Sequence, residues 1–402
     1  MKAVNNWFGL LKREFGRFFR NKTLLSVFFL APIIYAVLLA FVYQEGKVTE
    51  IPIIVVDKDN SPLSAQVIEM LQDNEGIRVE KQVFELEDIK REMIRSSSAA
   101  VIVIPDRFEA DILQARYPEI QIFCNTSNIL TANFASKSIQ QSLGTFAVGT
   151  EVKALQRRGM SYSQAMTKYE PFKQNYQKVF NETGNYFTFM WPAMLAVVLQ
   201  QVILLAMAVS FSTEFEEKTF NSELMSGRRF ATGAILVKNI PIWLFSGFII
   251  GLFYLFHVMF RAPIPHQILS FMVISGFFVV AVSLLGTVVS MLIPNALKAT
   301  QILMIIASPS FIMGGYTWPM EAMPEGIQFF ASIIPLTPFL NAFKTLLIEG
   351  GELADCTKHL STMGIQITVY GILSIVLIRW RMRKSKPVVV KEEKQQVDPQ
   401  AE

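Results

Sequence analysis

The sequence predicts an α-helical polytopic membrane protein of six spans, with an extracytoplasmic α/β domain inserted between the first two. Three observations predict it. Of 402 residues, 51% are hydrophobic and only 17% are charged, with a mean hydropathy of +0.36, whereas a soluble chain carries about a quarter charged residues. The apolar excess is gathered into long uncharged runs, the pattern of membrane helices rather than of a large soluble core. The basic residues cluster beside those runs, which suits a membrane surface and gives no reason to expect a nucleic-acid partner.

The first run, Leu24–Tyr43, has no charge and is about 30 Å long as a helix. Its Pro32 is tolerable because neighbouring helices re-satisfy the backbone around a kink. At about twice the length of a signal-peptide core, and with no A-x-A-like site after it, this run is expected to stay as a signal anchor. Phe187–Phe211, Pro241–Phe260, Ile268–Ile293, Ala299–Trp318 and Met363–Trp380 complete the six. The domain reading is therefore a 1–23 amphipathic interfacial helix, a 24–43 span, a 44–185 extracytoplasmic domain, a 186–380 five-span bundle and a 381–402 tail.

Lysines and arginines near span ends give the orientation. Lys12, Arg13, Arg17, Arg20 and Lys22 precede the first span, Lys218, Arg228, Arg229 and Lys238 lie between the second and third, and Arg379, Arg381, Arg383, Lys384 and Lys386 follow the sixth. The opposite connections hold only Arg261, Lys344 and Lys358. Both termini are expected in the cytoplasm. Cysteines placed at Ser97 and Ser385 should then label from opposite sides.

Residues 44–185 read as a soluble α/β unit, long enough for its own core. Ile51–Val56 is a short apolar strand ending in the turn Asp57-Lys58-Asp59-Asn60-Ser61-Pro62. A helix follows through Leu63, Val67, Met70 and Leu71. Ile77–Val83, Ala99–Ile104 and Ile120–Cys124 are further strands, Glu85–Arg95 is a second helix, and a long helix runs from Asn133 to about Arg158.

Three segments carry candidate mechanism. In the first, Trp7, Leu11, Phe15 and Phe18 share one helical face, with Arg13, Arg17 and Arg20 near the far side. An interfacial helix with its bases toward lipid head groups has this pattern; a plain basic flank is the alternative. The second is the cytoplasmic loop 212–233, which opens Glu214-Phe215-Glu216-Glu217-Lys218-Thr219. It is either a solvated helix terminus or a docking surface for a cytoplasmic partner. Reversing its three acids to lysine is expected to spare folding, since all three read as solvent-facing. The third is 319–348, preceded by Gly314-Gly315, where Pro319, Pro335 and Pro338 break helices too short to span. That suggests a re-entrant element in the outer leaflet, with a surface hairpin as the alternative. In the second span, Gln200 and Gln201 either line a pathway or bridge helices.

No catalytic constellation or metal site stands out. Cys124 and Cys356 are far apart, and the three histidines are scattered. The sequence has no G-x-x-x-x-G-K-[ST] phosphate loop. The span centres carry no Asp, Glu, Lys or Arg, against a proton- or sodium-driven carrier.

In order and topology these pieces resemble the ABC type-2 exporter permeases, in the subgroup with a large outside domain after span one. The resemblance rests on Ile53-Ile54-Val55-Val56-Asp57, on Ala99–Pro105, on the Glu214–Thr219 loop with Lys238, and on Gly314-Gly315, Pro319, Met323-Pro324, Ile334-Pro335-Leu336-Thr337-Pro338 and Gly350. Lys218 stands where the family usually has glycine, and Gly227 where proline is common. The resemblance implies a permease in the bacterial inner membrane that has no cofactor of its own. Separate ABC ATPase subunits would bind ATP and Mg, and a second permease chain, identical or different, would complete the transporter. A periplasmic adaptor is a further partner it allows. It also implies that the N-terminal helix (Trp7, Arg13, Phe15, Arg17) and the loop Glu214, Glu216, Glu217, Lys218 and Thr219 couple to the ATPase. Gly314, Gly315, Pro319, Pro335 and Pro338 would form an outer gate. Met190, Met194 and Val198, with Met304 and Phe311, would line a path for hydrophobic or amphipathic cargo. A membrane receptor using the outside domain is the alternative reading.

Overall fold

The computed structural model describes residues 2–169, 177–225 and 231–384. Gly227, Arg228, Arg229, Ser385, Lys386 and most of the expected tail lie outside those residues. Two compact units emerge, one from Met1–Gln44 with Val179–Glu402 and the other from Glu45–Lys178. The chain opens with helix α1 (Lys2–Arg20) and continues in α2 (Lys22–Tyr43). Asn21 separates them and caps α2, its side chain accepting from the Leu24 amide at 3.0 Å.

The smaller unit holds a four-stranded sheet in the order β2-β1-β3-β4, made of β1 (Ile51–Asp57), β2 (Ile77–Val83), β3 (Ala100–Ile104) and β4 (Gln121–Cys124). β1 pairs in parallel with β2 and β3, and β4 is antiparallel to β3. The two central strands are apolar runs buried on both faces, as parallel strands are. Ile51, Ile53 and Val55 meet helices α3 (Pro62–Gln72) and α6 (Ile129–Arg157) on one face, while Ile54 and Val56 meet α4 (Ile89–Ser96) through Met93 on the other. The Asp57 turn is local chemistry. Its Oδ1 accepts the Asp59 and Asn60 amides at 3.1 and 3.0 Å, and its Oδ2 accepts the Ser64 hydroxyl at 2.8 Å. Ser61 and Ser64 close a capping box at the start of α3. Two short helices not anticipated from sequence, α5 (Phe108–Leu113) and α7 (Tyr162–Tyr169), complete this unit.

Among its described residues the larger unit contains six helices long and apolar enough to span a membrane: α2, α8 (Tyr186–Glu216), α9 (Ala231–Met259), α10 (Ile268–Leu292), α11 (Ala296–Met313) and α14 (Thr357–Lys384). Helix α8 is the centre. It packs against α2, α9, α10 and α11, and 72% of its most apolar window is buried within the chain. Membrane helices gain little from apolar contact with one another, so close approach and polar contacts hold them together. Gly286 of α10 gives the close approach, since a Cβ there would lie 2.5 Å from the Met207 Cβ. The polar contacts include Gln200 Nε2 to Ser310 Oγ at 2.9 Å, Trp191 Nε1 to the Ala36 carbonyl at 2.9 Å and Trp243 Nε1 to Ser283 Oγ at 2.8 Å. Gln200 thus bridges α8 and α11.

Helices α8, α9 and α14 run past the ends expected from hydropathy, α14 covering Thr357–Lys384 where Met363–Trp380 was expected, and α11 stops at Met313, short of Trp318. Helix α9 begins ten residues before Pro241, because Lys238 reads as a span boundary in sequence but is neutralised inside the fold. Helix α8 continues to Glu216 for the same reason. Between α11 and α14, α12 (Glu325–Ile333) and α13 (Leu336–Leu347) meet at 82°. Helix α13 is buried along most of its length against α10, α11 and α14.

Candidate functional site

The α1 end of the bundle holds a charged cluster built from three helices. Helix α1 turns Leu10, Glu14 and Phe18 inward, with Phe15 and Phe18 against Phe245 of α9 at ring-centroid distances of 5.5 and 4.5 Å. Trp7 lies beside Gly233 at the start of α9. Arg13 and Arg17 sit next to this inward face. They do not point toward head groups, as the helical wheel suggested, but converge on Glu214 in the last turn of α8.

Glu214 is fully buried and accepts from four groups. Arg17 Nη1 reaches its Oε1 at 2.5 Å and Lys238 Nζ at 2.7 Å. Arg13 Nη2 bonds the same oxygen, and the Thr219 hydroxyl donates to Oε2. Lys238, itself buried, also donates to the buried Glu14 at 2.8 Å. Around this core, Arg17 Nη2 bonds the exposed Glu217 at 2.7 Å and Arg13 Nη1 lies 3.1 Å from the exposed Glu223. Charges so far out of water persist only when paired and hydrogen-bonded, and here each has an opposite partner. The cluster locks α1, α8 and α9 into one body.

The acidic loop therefore divides by role. Glu214 is an internal cross-link and offers no surface to a partner, so the reading of three solvent-facing acids is corrected at that position. Glu216 is exposed at the N-terminus of α11, where it accepts from Asn295 Nδ2 at 2.9 Å and the Ala296 amide at 3.0 Å. A carboxylate there complements the helix dipole. Glu217 is exposed. Lys218, also exposed, ends α8 with φ +58°, the left-handed conformation that glycine adopts without steric cost. A short π-type turn, Phe220–Leu224, follows Thr219.

Sequence reasoning missed two residues of this end. Glu14 was hidden among bases, and its signal was its place on the Leu10–Phe18 face. Arg381 caps the C-terminus of α10 by donating to the Met291 and Leu292 carbonyls at 3.0 Å; no local pattern marked it.

At the far end, Gly314 closes α11. Gly315 has φ +77°, and a Cβ there would meet Met320 at 2.6 Å. Tyr316 folds back to donate to the Phe189 carbonyl of α8 at 2.6 Å and stacks on the Phe189 ring. Pro319 precedes a single 3-10 turn, Pro335 opens α13 and Pro338 lies in its first turn. Of the expected pathway residues, Met190, Val198 and Phe311 are buried within the chain, and Met194 and Met304 are half-buried. Both cysteines are free. Burial, with Asp355 and Glu349 beside it, raises the Cys356 thiol pKa and favours the protonated form.

The chain is 25% identical over 345 residues to ABC transporter G family member 20 of Dictyostelium discoideum, matching 84% of this chain but 46% of that protein's length. It is 22% identical over 276 residues to the Escherichia coli protein described as "Probable multidrug ABC transporter permease YbhS", covering 66% of this chain and 69% of the relative. The similarly described YbhR is 20% identical over 353 residues, covering 86% and 90%. Residues 22–376 match the family described as "ABC-2 family transporter protein". With six apolar helices among the described residues, α8 buried among the others, and a family match across nearly all of them, this multi-pass chain belongs to the ABC-2 family of transporter proteins.

Proposed function

We propose that the chain is the membrane-spanning half of an ATP-driven exporter, powered by separate ABC ATPase subunits that bind ATP and Mg. In this reading both termini are cytoplasmic in a bacterial inner membrane, and residues 44–185 face outward, where an adaptor can dock. A second permease chain completes the pathway. The cargo is hydrophobic or amphipathic and moves by alternating access, with the segment from Gly314 to Pro338 as the outer gate. The observation that carries the reading is the Arg13–Arg17–Glu214–Lys238 cluster. A force on α1 or on the exposed acids beside it reaches α8, the most buried of the six spans, through buried ion pairs rather than a flexible loop. Glu217, Lys218 and Thr219, with Glu216 alongside, form the surface on which the ATPase presses.

Inverted membrane vesicles from cells that express the chain with its ATPase test this. ATP should drive accumulation of a lipophilic fluorescent cation, and Glu217→Lys, which sets like charges against the partner, should lower it while leaving the chain in the membrane. Accumulation that is equal with and without the chain would overturn the reading.

A further inference from the structure

A cavity of about 330 Å³ opens beside the charged cluster, between α1, the α1–α2 junction, α8 and α9. Its lining has two characters. Phe18, Leu24, Ala206, Val209 and Ile242 make one part apolar, while Arg20, Asn21 and Ser210 bring donors to the other. Glu14, Arg17, Glu217 and Lys238 also border it, but they pair among themselves and with Glu214. Arg20 is the remaining charge. It is exposed and has no ion-pair partner among the described residues. The Asn21 side-chain Nδ2 and the Ser210 hydroxyl likewise make no hydrogen bond among the described residues, although the Asn21 Oδ1 caps α2.

We propose that this cavity takes the phosphate headgroup of an anionic glycerophospholipid from the leaflet at the α1 end, with the upper part of one acyl chain along its apolar wall. The net positive charge and the three free donors suit a phosphate. From Ala206 to Glu217 the lining follows α8 for roughly 16 Å at 1.5 Å per residue, so the cavity passes from charged to apolar along the membrane depth, as a phospholipid does. Its volume is at the low end for small-molecule pockets, too small for a peptide segment. A bound lipid would wedge α1 against α8 and α9 beside the cluster that links them. The inference rests only on the chain being a membrane protein, and its readout needs no ATPase.

Native mass spectrometry of the full chain in neutral detergent tests it, with phosphatidylglycerol, phosphatidylcholine of the same acyl chains, and inorganic phosphate as probes. The chain should retain phosphatidylglycerol about tenfold over phosphatidylcholine, because both bring the phosphate but the choline ammonium meets the like charge of Arg20. Arg20→Gln should remove that preference, and Lys12→Gln, at an exposed lysine on the same helix away from the cavity, should keep it. Ser210→Leu, which fills the cavity, should lower retention of both lipids. Equal retention of the two lipids by the wild-type chain would overturn the proposal without reference to any variant. So would an Arg20→Gln effect no larger than that of Lys12→Gln. Displacement of phosphatidylglycerol by inorganic phosphate would assign the site to free phosphate and overturn the lipid occupant.

Discussion

Replacing Glu214 by glutamine keeps the side-chain shape and removes one buried negative charge. In the native cluster its carboxylate faces Arg13, Arg17 and Lys238, with Lys238 at 2.7 Å and almost out of solvent. After the change Lys238 retains only Glu14, Arg17 retains only the exposed Glu217, and Arg13 retains Glu14 at 3.6 Å and the exposed Glu223. Removing one member of a buried pair costs about 3–5 kcal/mol, chiefly because the other charge stays buried. Glu217→Gln is the comparison. Its side chain is 51% exposed, so its pair with Arg17 is screened by water and is worth about 0–1 kcal/mol. Heating the full chain in detergent, with intrinsic tryptophan fluorescence as the readout, should give a much lower unfolding midpoint for Glu214→Gln and a near-native one for Glu217→Gln. Adding Lys238→Met to Glu214→Gln should recover part of the loss, since contacting charges couple by about 0.5–3 kcal/mol. Matching midpoints for the two glutamine variants would refute the reasoning. Reversing all three loop acids is consequently expected to damage the fold, and a docking test belongs at Glu217 alone.

Other outcomes follow from single positions. Gly286→Val should destabilise the α8–α10 contact by about 1–3 kcal/mol through overpacking, while Gly276→Ala, with no atom near its added Cβ, should stabilise by up to about 1 kcal/mol by removing a helix-interior glycine; thermal midpoints distinguish them. Lys218→Gly should raise the midpoint slightly by relieving a left-handed residue whose cost is about 1–2 kcal/mol, offset in part by glycine's entropy, and Lys218→Val should lower it. Gln200→Leu removes an interhelical hydrogen bond worth about 0.6 kcal/mol and should shift the midpoint little, because Ser310 keeps its bond to the Ala307 carbonyl. Membrane-impermeant thiol labelling of cysteines at Ser97 and Ser385 should mark opposite sides, and labelling on one side would end the proposed topology.

Uncharged runs of about twenty residues have no water-satisfied alternative to a helix, so the six spans were legible along the chain. The parallel strands of the inserted unit were legible for a related reason: Ile51–Val56 and Ala100–Ile104 are continuous apolar runs between turn residues. What hydropathy could not show is how charges inside the fold are neutralised. Lys238 looks like the edge of a span until Glu14 and Glu214, 224 and 24 residues away in sequence, are placed beside it. Arg13 and Arg17 look like head-group contacts until α8 presents a buried acid. Glu214, Glu216 and Glu217 are indistinguishable in composition, and only the helical phase of the last turn of α8 puts Glu214 on the inner face and leaves the other two outside. The short α5 and α7 carry too few turns for a periodic signal.

The central claim is that this chain is the membrane half of a transporter whose ATP chemistry resides elsewhere. The direct test is vanadate-sensitive ATP hydrolysis by the purified full chain, by the ATPase subunit that co-purifies with it in mild detergent, and by the two recombined. The chain alone should hydrolyse none, the subunit alone should be slow, and recombination should restore the rate of the intact assembly. Hydrolysis by the isolated chain at the assembly's rate, with no second subunit present, would contradict the claim.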